Sequence, residues 1–257
     1  MEVNILGYGL IAKQIISLFF VAGYSVNIYN HREIDLTLVK KEIKKVRRYF
    51  TDCKEGKLVS IKHIESLPTT SITIEAIIEE LSIKRKFYRK IRQNNNNNYY
   101  TNSSSYSPDE IGDDVSVLHF YNPVTHVRLI EYYDQDGLHS LQPWVEFLKN
   151  NKFDFLEVNK NRGYLGNYLL FQEISNIFKA IELYGYKVES IHTLYKNLYH
   201  NMDIFAIIDV IGVDVCYSIL KNLSEVYQEI YVPKTLEIAV QKGIFGKKNK
   251  TTILSCL

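Results

Sequence analysis

Hydrophobic positions follow two rhythms over the first thirty residues. Val3 to Leu6 is a short apolar run closed by Gly7-Tyr8-Gly9. Ile11, Ile15, Ile16, Phe19 and Phe20 then recur at helical spacing, and Gly23 stands where a helix C-terminus ends. Tyr24 to Tyr29 alternates as a second strand. Strand, helix, strand in so short a span is the unit of a parallel sheet. The pattern continues with a basic amphipathic helix over Leu36 to Phe50, a strand over Ser71 to Ile78 and a helix over Ser82 to Ile91. Asn94 to Asn98 is a low-complexity loop with little capacity to pack. Tyr99 to Asn102, Val115 to Phe120, Val127 to Tyr133 and Phe153 to Val158 read as strands, with a helix over Ser140 to Asn150.

After Asn159 the alternation stops. Leu165 to Tyr184, Val188 to Tyr199, Ile204 to Leu223 and Lys234 to Lys242 all carry helical spacing. The fold class is therefore α/β: a Rossmann-type parallel sheet domain followed by an all-helical C-terminal domain. The pattern sets a Rossmann-type sheet domain at 1–158 and a helical domain at 159–257.

Composition narrows the partners more than the chemistry. A net charge of +2 gives no electrostatic footprint for nucleic acid. Cys53, Cys216 and Cys256 are odd in number and form no CxxC pair, so neither a disulfide framework nor a zinc site is expected. A reducing compartment, cytoplasm or mitochondrial matrix, follows. The longest apolar run, Ile15 to Ala22, is too short to span a bilayer. No charged segment precedes a cleavable apolar stretch, so no signal peptide is expected.

The first candidate chemistry lies in Gly7-Tyr8-Gly9-Leu10-Ile11-Ala12, which fits G-x-G-x-x-G/A. Gly7 permits the tight turn, Gly9 lets backbone approach a pyrophosphate, and Ala12 lets helix pack close on strand. The N–H groups of Leu10, Ile11 and Ala12 open the helix, where the dipole favours phosphate. A strand before the turn and a helix after it supply the context the motif requires. NAD is the expected cofactor. Its ribose hydroxyls call for an acidic residue at the end of the second strand. Asn30 stands there and can bond a hydroxyl, whereas Arg32 can meet a 2′-phosphate, which leaves NADP open.

The second lies in Leu118-His119-Phe120-Tyr121-Asn122-Pro123-Val124. His119 ends a strand, at the edge where parallel sheets bind ligands. Glu131 follows on the next strand, where a carboxylate can orient the imidazole.

With these residues in view, the chain resembles a 3-hydroxyacyl-CoA dehydrogenase. Ile74-Glu75-Ala76-Ile77-Ile78-Glu79, with Lys84 five residues on, is similar to the family's IEAIVE…K segment. Thr101-Asn102-Ser103-Ser104-Ser105 resembles SNTSS, His119 to Val124 resembles HFFNPV, and Arg128 to Glu131 resembles KLVE. Gly163 to Asn167 resembles GFIVN, Met202 to Gly212 falls at PMGPFELLDFIG, and Lys242 to Lys248 resembles AGRLGRK. The resemblance covers nearly the whole chain.

It implies hydride transfer between a nicotinamide cofactor and a 3-hydroxyacyl-CoA. His119 matches the general base, and Glu131 the carboxylate that orients it. Ser104 and Asn167 match groups that bond the reacting oxygen. Asn122 matches a residue near the nicotinamide, and Glu79, Lys84 and Lys248 match contacts to the cofactor. The family usually forms a homodimer through its helical domain.

Several positions depart from the family. Asn30 replaces the acidic residue, and the helical hairpin after the second strand is shortened, although Lys44, Lys45, Arg47 and Arg48 remain as cations for CoA phosphates. Lys160 and Arg162 stand where Asp and Pro are usual, and Asn249 to Leu254 lacks the family's glycines and aromatics. These changes motivate an alternative: a non-catalytic relative that serves as a structural or assembly subunit of a larger complex.

Overall fold

The computed structural model describes every residue except 70, 71, 93–97, 135, 136 and 199–202. Most of the asparagine run and Met202 therefore lie outside the described residues. The chain forms two compact units, Met1–Asn161 and Arg162–Leu257.

The first unit opens with β1 (Glu2–Leu6), α1 (Leu10–Val21) and β2 (Ser25–Tyr29). α2 (Leu36–Val46) follows, with Asp35 at its N-cap accepting from the Thr37 N–H. The helix expected to reach Phe50 stops at Val46. The next strand, β3 (Lys57–Ile61), was not expected from the pattern. It lies at the sheet edge, is only half-buried, and carries a lysine at its start, so it lacks the apolar alternation of a covered strand. Then come β4 (Ile72–Glu75), α3 (Leu81–Arg92), β5 (Asn98–Thr101), the short α4 (Pro108–Ile111), β6 (Val115–Phe120), β7 (Leu129–Tyr133), α5 (Gln142–Asn150) and β8 (Asp154–Glu157).

All eight strands join one sheet in the order β3-β2-β1-β4-β5-β6-β7-β8. Only β6 and β7 run antiparallel; the other neighbours are parallel. The carboxyl ends of β1, β2, β3, β4, β5 and β6 therefore share one edge. α1 is buried along most of its length, as its all-round apolar sequence requires. Phe19 of that helix stacks on Trp144 of α5 with ring centroids 4.3 Å apart. Trp144 is the chain's single tryptophan and is fully buried in this core. A polar seam crosses the sheet at Asn4 and its register partner Asn27, joined at 3.1 Å. The Asn4 amide also reaches Thr73 at 3.2 Å, so the buried groups are satisfied.

The second unit contains α6 (Gly166–Glu182), α7 (Val188–Leu198), α8 (Ile204–Ile211), α9 (Val213–Ser224) and α10 (Lys234–Gln241) around a separate core that includes Phe171, Phe178, Ile208 and Leu220. The single helix expected over Ile204 to Leu223 is two. Gly212, at φ +108°, breaks it. A side chain there would be strained, and its Cβ would lie 2.6 Å from Cε of Lys248. No helix among the described residues is long and apolar enough to cross a membrane.

Candidate active site

The glycine turn leaves β1 and enters α1 at the shared edge. Gly7 adopts φ +118°, and a Cβ there would sit 2.3 Å from the carbonyl oxygen of Ala76. Only glycine allows this approach to the chain leaving β4. At Gly9 a Cβ would meet nothing within 4 Å, so the backbone faces open space. Gly9 is the N-cap of α1, and no side chain caps the helix. The first-turn N–H groups are thus the kind that donate to phosphate oxygens. Leu10 is exposed, Ile11 half-buried and Ala12 fully buried against the sheet. Open backbone and an uncapped helix start fit a dinucleotide pyrophosphate.

Beside this turn, the loop after β4 is built around buried charge. Glu75 is fully buried and takes four donors. Its Oε1 accepts from Lys84 Nζ at 2.7 Å and the Ile77 N–H at 2.7 Å. Oε2 accepts from the Thr101 hydroxyl at 2.8 Å, and the Glu75 carbonyl from the Asn102 N–H at 2.8 Å. Lys84 is 1% exposed and also meets Glu79 at 3.0 Å. Burial works against the Lys84 ammonium, but the two carboxylates outweigh it and raise its pKa. Glu79 in turn accepts from the Ser103 hydroxyl and from the Ser105 N–H at 3.2 Å. Glu79 and Lys84, expected at the cofactor, also brace the loop that carries Ser104.

β6 and β7 bring the second constellation together. Their antiparallel register sets His119 directly opposite Glu131. His119 Nδ1 lies 2.8 Å from Glu131 Oε2 and donates to it. Glu131 is fully buried and His119 nearly so. Tyr121 donates its hydroxyl to the same oxygen at 2.7 Å, and its ring packs edge-on to the imidazole with centroids 4.7 Å apart. Burial, and then the Glu131 carboxylate, hold the Tyr121 hydroxyl well above the ordinary phenol range, so it remains a donor. The Asn122–Pro123 turn, a cis peptide, follows at once. Gln14 of α1 clasps it: its amide donates to Asn122 Oδ1 at 2.8 Å and accepts the Val124 N–H at 2.9 Å. The Asn102 side chain accepts the Phe120 N–H at 3.0 Å and so ties the serine loop to the histidine strand.

Tyr121 and Gln14 were not among the expected site residues. Tyr121 stands where the family motif has phenylalanine, and that added hydroxyl was the available signal. Gln14 was signalled by a polar side chain on the buried face of an apolar helix. Tyr121→Phe removes a donor to Glu131 Oε2 and concentrates negative charge opposite His119. The acid limb of the pH–rate profile for alcohol oxidation is expected to move to higher pH, with alkaline activity retained. A superimposable profile would show that the hydroxyl is not coupled to the pair.

The remaining residues fall in different places. Ser104 is half-buried in the braced loop. The Asn30 amide donates to the Arg32 carbonyl at 3.1 Å. Asn167 opens α6 in the second unit. Lys248 also belongs to that unit, where its ammonium pairs with Asp214 at 2.7 Å beside the Gly212 break.

A parallel sheet with an open glycine turn, and a carboxylate-held histidine at the same edge, define a nicotinamide-dependent dehydrogenase of the Rossmann type. Residues 2–137 match the 3-hydroxyacyl-CoA dehydrogenase NAD binding domain, and residues 163–255 match the C-terminal domain of the same enzymes. The chain belongs to the 3-hydroxyacyl-CoA dehydrogenase family. It is 25% identical to the 3-hydroxybutyryl-CoA dehydrogenase of Clostridioides difficile, an alignment covering 87% of each chain. It is 24% identical to the mitochondrial hydroxyacyl-coenzyme A dehydrogenase of Homo sapiens, over 96% of this chain and 88% of that one. The crystal structure of FadB2 from M. tuberculosis has the same fold, with a TM-score of 0.83 at 20% identity over 98% of this chain and 97% of that one.

Proposed function

We propose that the chain interconverts a 3-hydroxyacyl-CoA and a 3-ketoacyl-CoA. The observation that carries this is the 2.8 Å pair between His119 and Glu131 at the edge that bears the glycine turn. A bound nicotinamide dinucleotide, NAD or NADP, supplies the hydride acceptor at its nicotinamide. In the oxidation, His119 Nε2 takes the proton of the substrate 3-hydroxyl as C3 loses hydride. Glu131 holds Nδ1 and stabilises the imidazolium that results. Ser104 donates to the reacting oxygen, and Asn167, on the resemblance, matches a substrate-bonding amide. Glu79 and Lys84 act through the serine loop as positioning residues. Asn122, fixed by Gln14, serves the nicotinamide side, and Gly7 to Ala12 hold the pyrophosphate.

Along α2 and just past its end, Lys45 pairs with Glu42 and Arg47 with Glu55. Lys44 and Arg48 are the exposed cations there that we assign to CoA phosphates. Residues 1–158 then serve the dinucleotide and 159–257 the substrate and a homodimer. The exposed Leu169, Leu183, Leu194 and Leu198 of the helical unit support that dimer, and sedimentation of the purified chain tests it. A non-catalytic subunit role is not favoured, because the acid–base pair is assembled and braced.

The test is the loss of reduced nicotinamide absorbance on mixing the full chain with acetoacetyl-CoA. Turnover supports the reading. No turnover with either NADH or NADPH overturns it.

A further inference from the structure

The edge strand β3 adds to the turn at Arg32 a second wall that the pattern of the sequence did not show. β2 and β3 run parallel with Tyr29 in register with Ile61, so Asn30 and Lys62 leave the sheet side by side. Between the two chain exits lies a cavity of about 410 Å³, lined by residues 30–34 and 60–62. It lies at the carboxyl end of β2, where a bound dinucleotide places its adenosine ribose. Arg32 and Lys62 are both exposed in its wall, and neither side chain forms an ion pair with a described residue. Glu33 is the single carboxylate of the lining.

A domain selective for NAD sets a carboxylate at the end of β2, which accepts from both ribose hydroxyls and repels a 2′-phosphate. Here that position holds the neutral Asn30, whose amide is directed to the Arg32 carbonyl at 3.1 Å. The bond shapes the turn that presents Arg32. A guanidinium offers a planar fork matched to phosphate oxygens, and an ammonium adds a second point charge.

We propose that this cavity is a 2′-phosphate subsite, with Arg32 and Lys62 as its cationic walls, and that the chain prefers NADP(H) to NAD(H). The proposal rests on the reading of Gly7 to Ala12 as the dinucleotide turn and concerns only the far end of the cofactor. Charge-assisted hydrogen bonds of this kind correspond to a preference of about tenfold or more.

Calorimetric titration of the full chain with NADH, NADPH, adenosine 2′,5′-bisphosphate and AMP tests it. NADPH is expected to bind at least about tenfold tighter than NADH, and the bisphosphate tighter than AMP. Arg32→Ala and Lys62→Ala, both at exposed positions, are each expected to lower the ratio of NADPH to NADH affinity about tenfold. NADH binding as tightly as NADPH, or ratios unchanged in both variants, overturns the subsite and leaves the dehydrogenase reading standing. Failure of all four ligands to bind overturns both.

Discussion

His119→Gln is expected to lower kcat for acetoacetyl-CoA reduction by about 10³-fold or more, toward the upper range for loss of a general acid–base group. Glutamine retains a donor for Glu131 Oε2, which His119 Nδ1 holds at 2.8 Å in the native chain. The buried carboxylate therefore keeps a partner, and Tyr121 keeps its own bond to the same oxygen. What glutamine lacks is an imidazole nitrogen that can take the proton and return it. The loss should fall on kcat, with KM and nucleotide affinity little changed, because the pyrophosphate site on α1 is untouched. Steady-state kinetics measure the first, and nucleotide titration the second. Fluorescence of Trp144, buried against Phe19, reports whether the first unit keeps its core. A variant that folds and retains activity within about tenfold of the native chain would remove His119 from the proton transfer.

The second large effect is on stability. Lys84→Met is expected to cost about 3–5 kcal/mol, the range for removing one partner of a buried pair. Methionine fills the aliphatic space but leaves Glu75, fully buried, without its cation. Burial already pushes the Glu75 carboxyl above the usual carboxylate range, against the opposing pull of Lys84. With Lys84 gone, the carboxyl rises further in the folded state. The sign of the pH dependence follows from linkage. A carboxyl whose folded pKa is raised carries its penalty at high pH and sheds it as pH falls toward the unfolded value. The deficit should therefore be larger at pH 8 than at pH 5. Denaturant unfolding followed by Trp144 fluorescence measures both. Lys84→Met combined with Glu75→Gln should recover part of the loss, since the amide has no charge to strand. A deficit independent of pH would show that Glu75 is not the group left exposed to the penalty.

Local signals carried the opening of the fold. Gly7 to Ala12 between two short apolar runs specifies strand, turn and helix through interactions among near neighbours, and the structure has that helix at Leu10–Val21. β6, read as Val115 to Phe120, has those bounds because its apolar run ends at Asn122-Pro123. The edge strand β3 was not legible, because a strand with one neighbour and half-buried faces needs no strict alternation. The split at Gly212 was not legible either. Apolar spacing runs through it in phase, and only the positive φ reveals the break.

By itself the sequence determined the fold class, the glycine turn and the pairing of His119 with Glu131 as candidates on consecutive strands. These depend on residue type and short spacing, which survive without coordinates. The tertiary structure decided what depends on register and burial. It set His119 opposite Glu131 and added Tyr121 to the same oxygen. It placed Lys84 under the serine loop, because a lysine beside two carboxylates can be buried where a lone one cannot. It also brought Lys62 beside Asn30, thirty-two positions away in the chain, because two parallel strands end side by side.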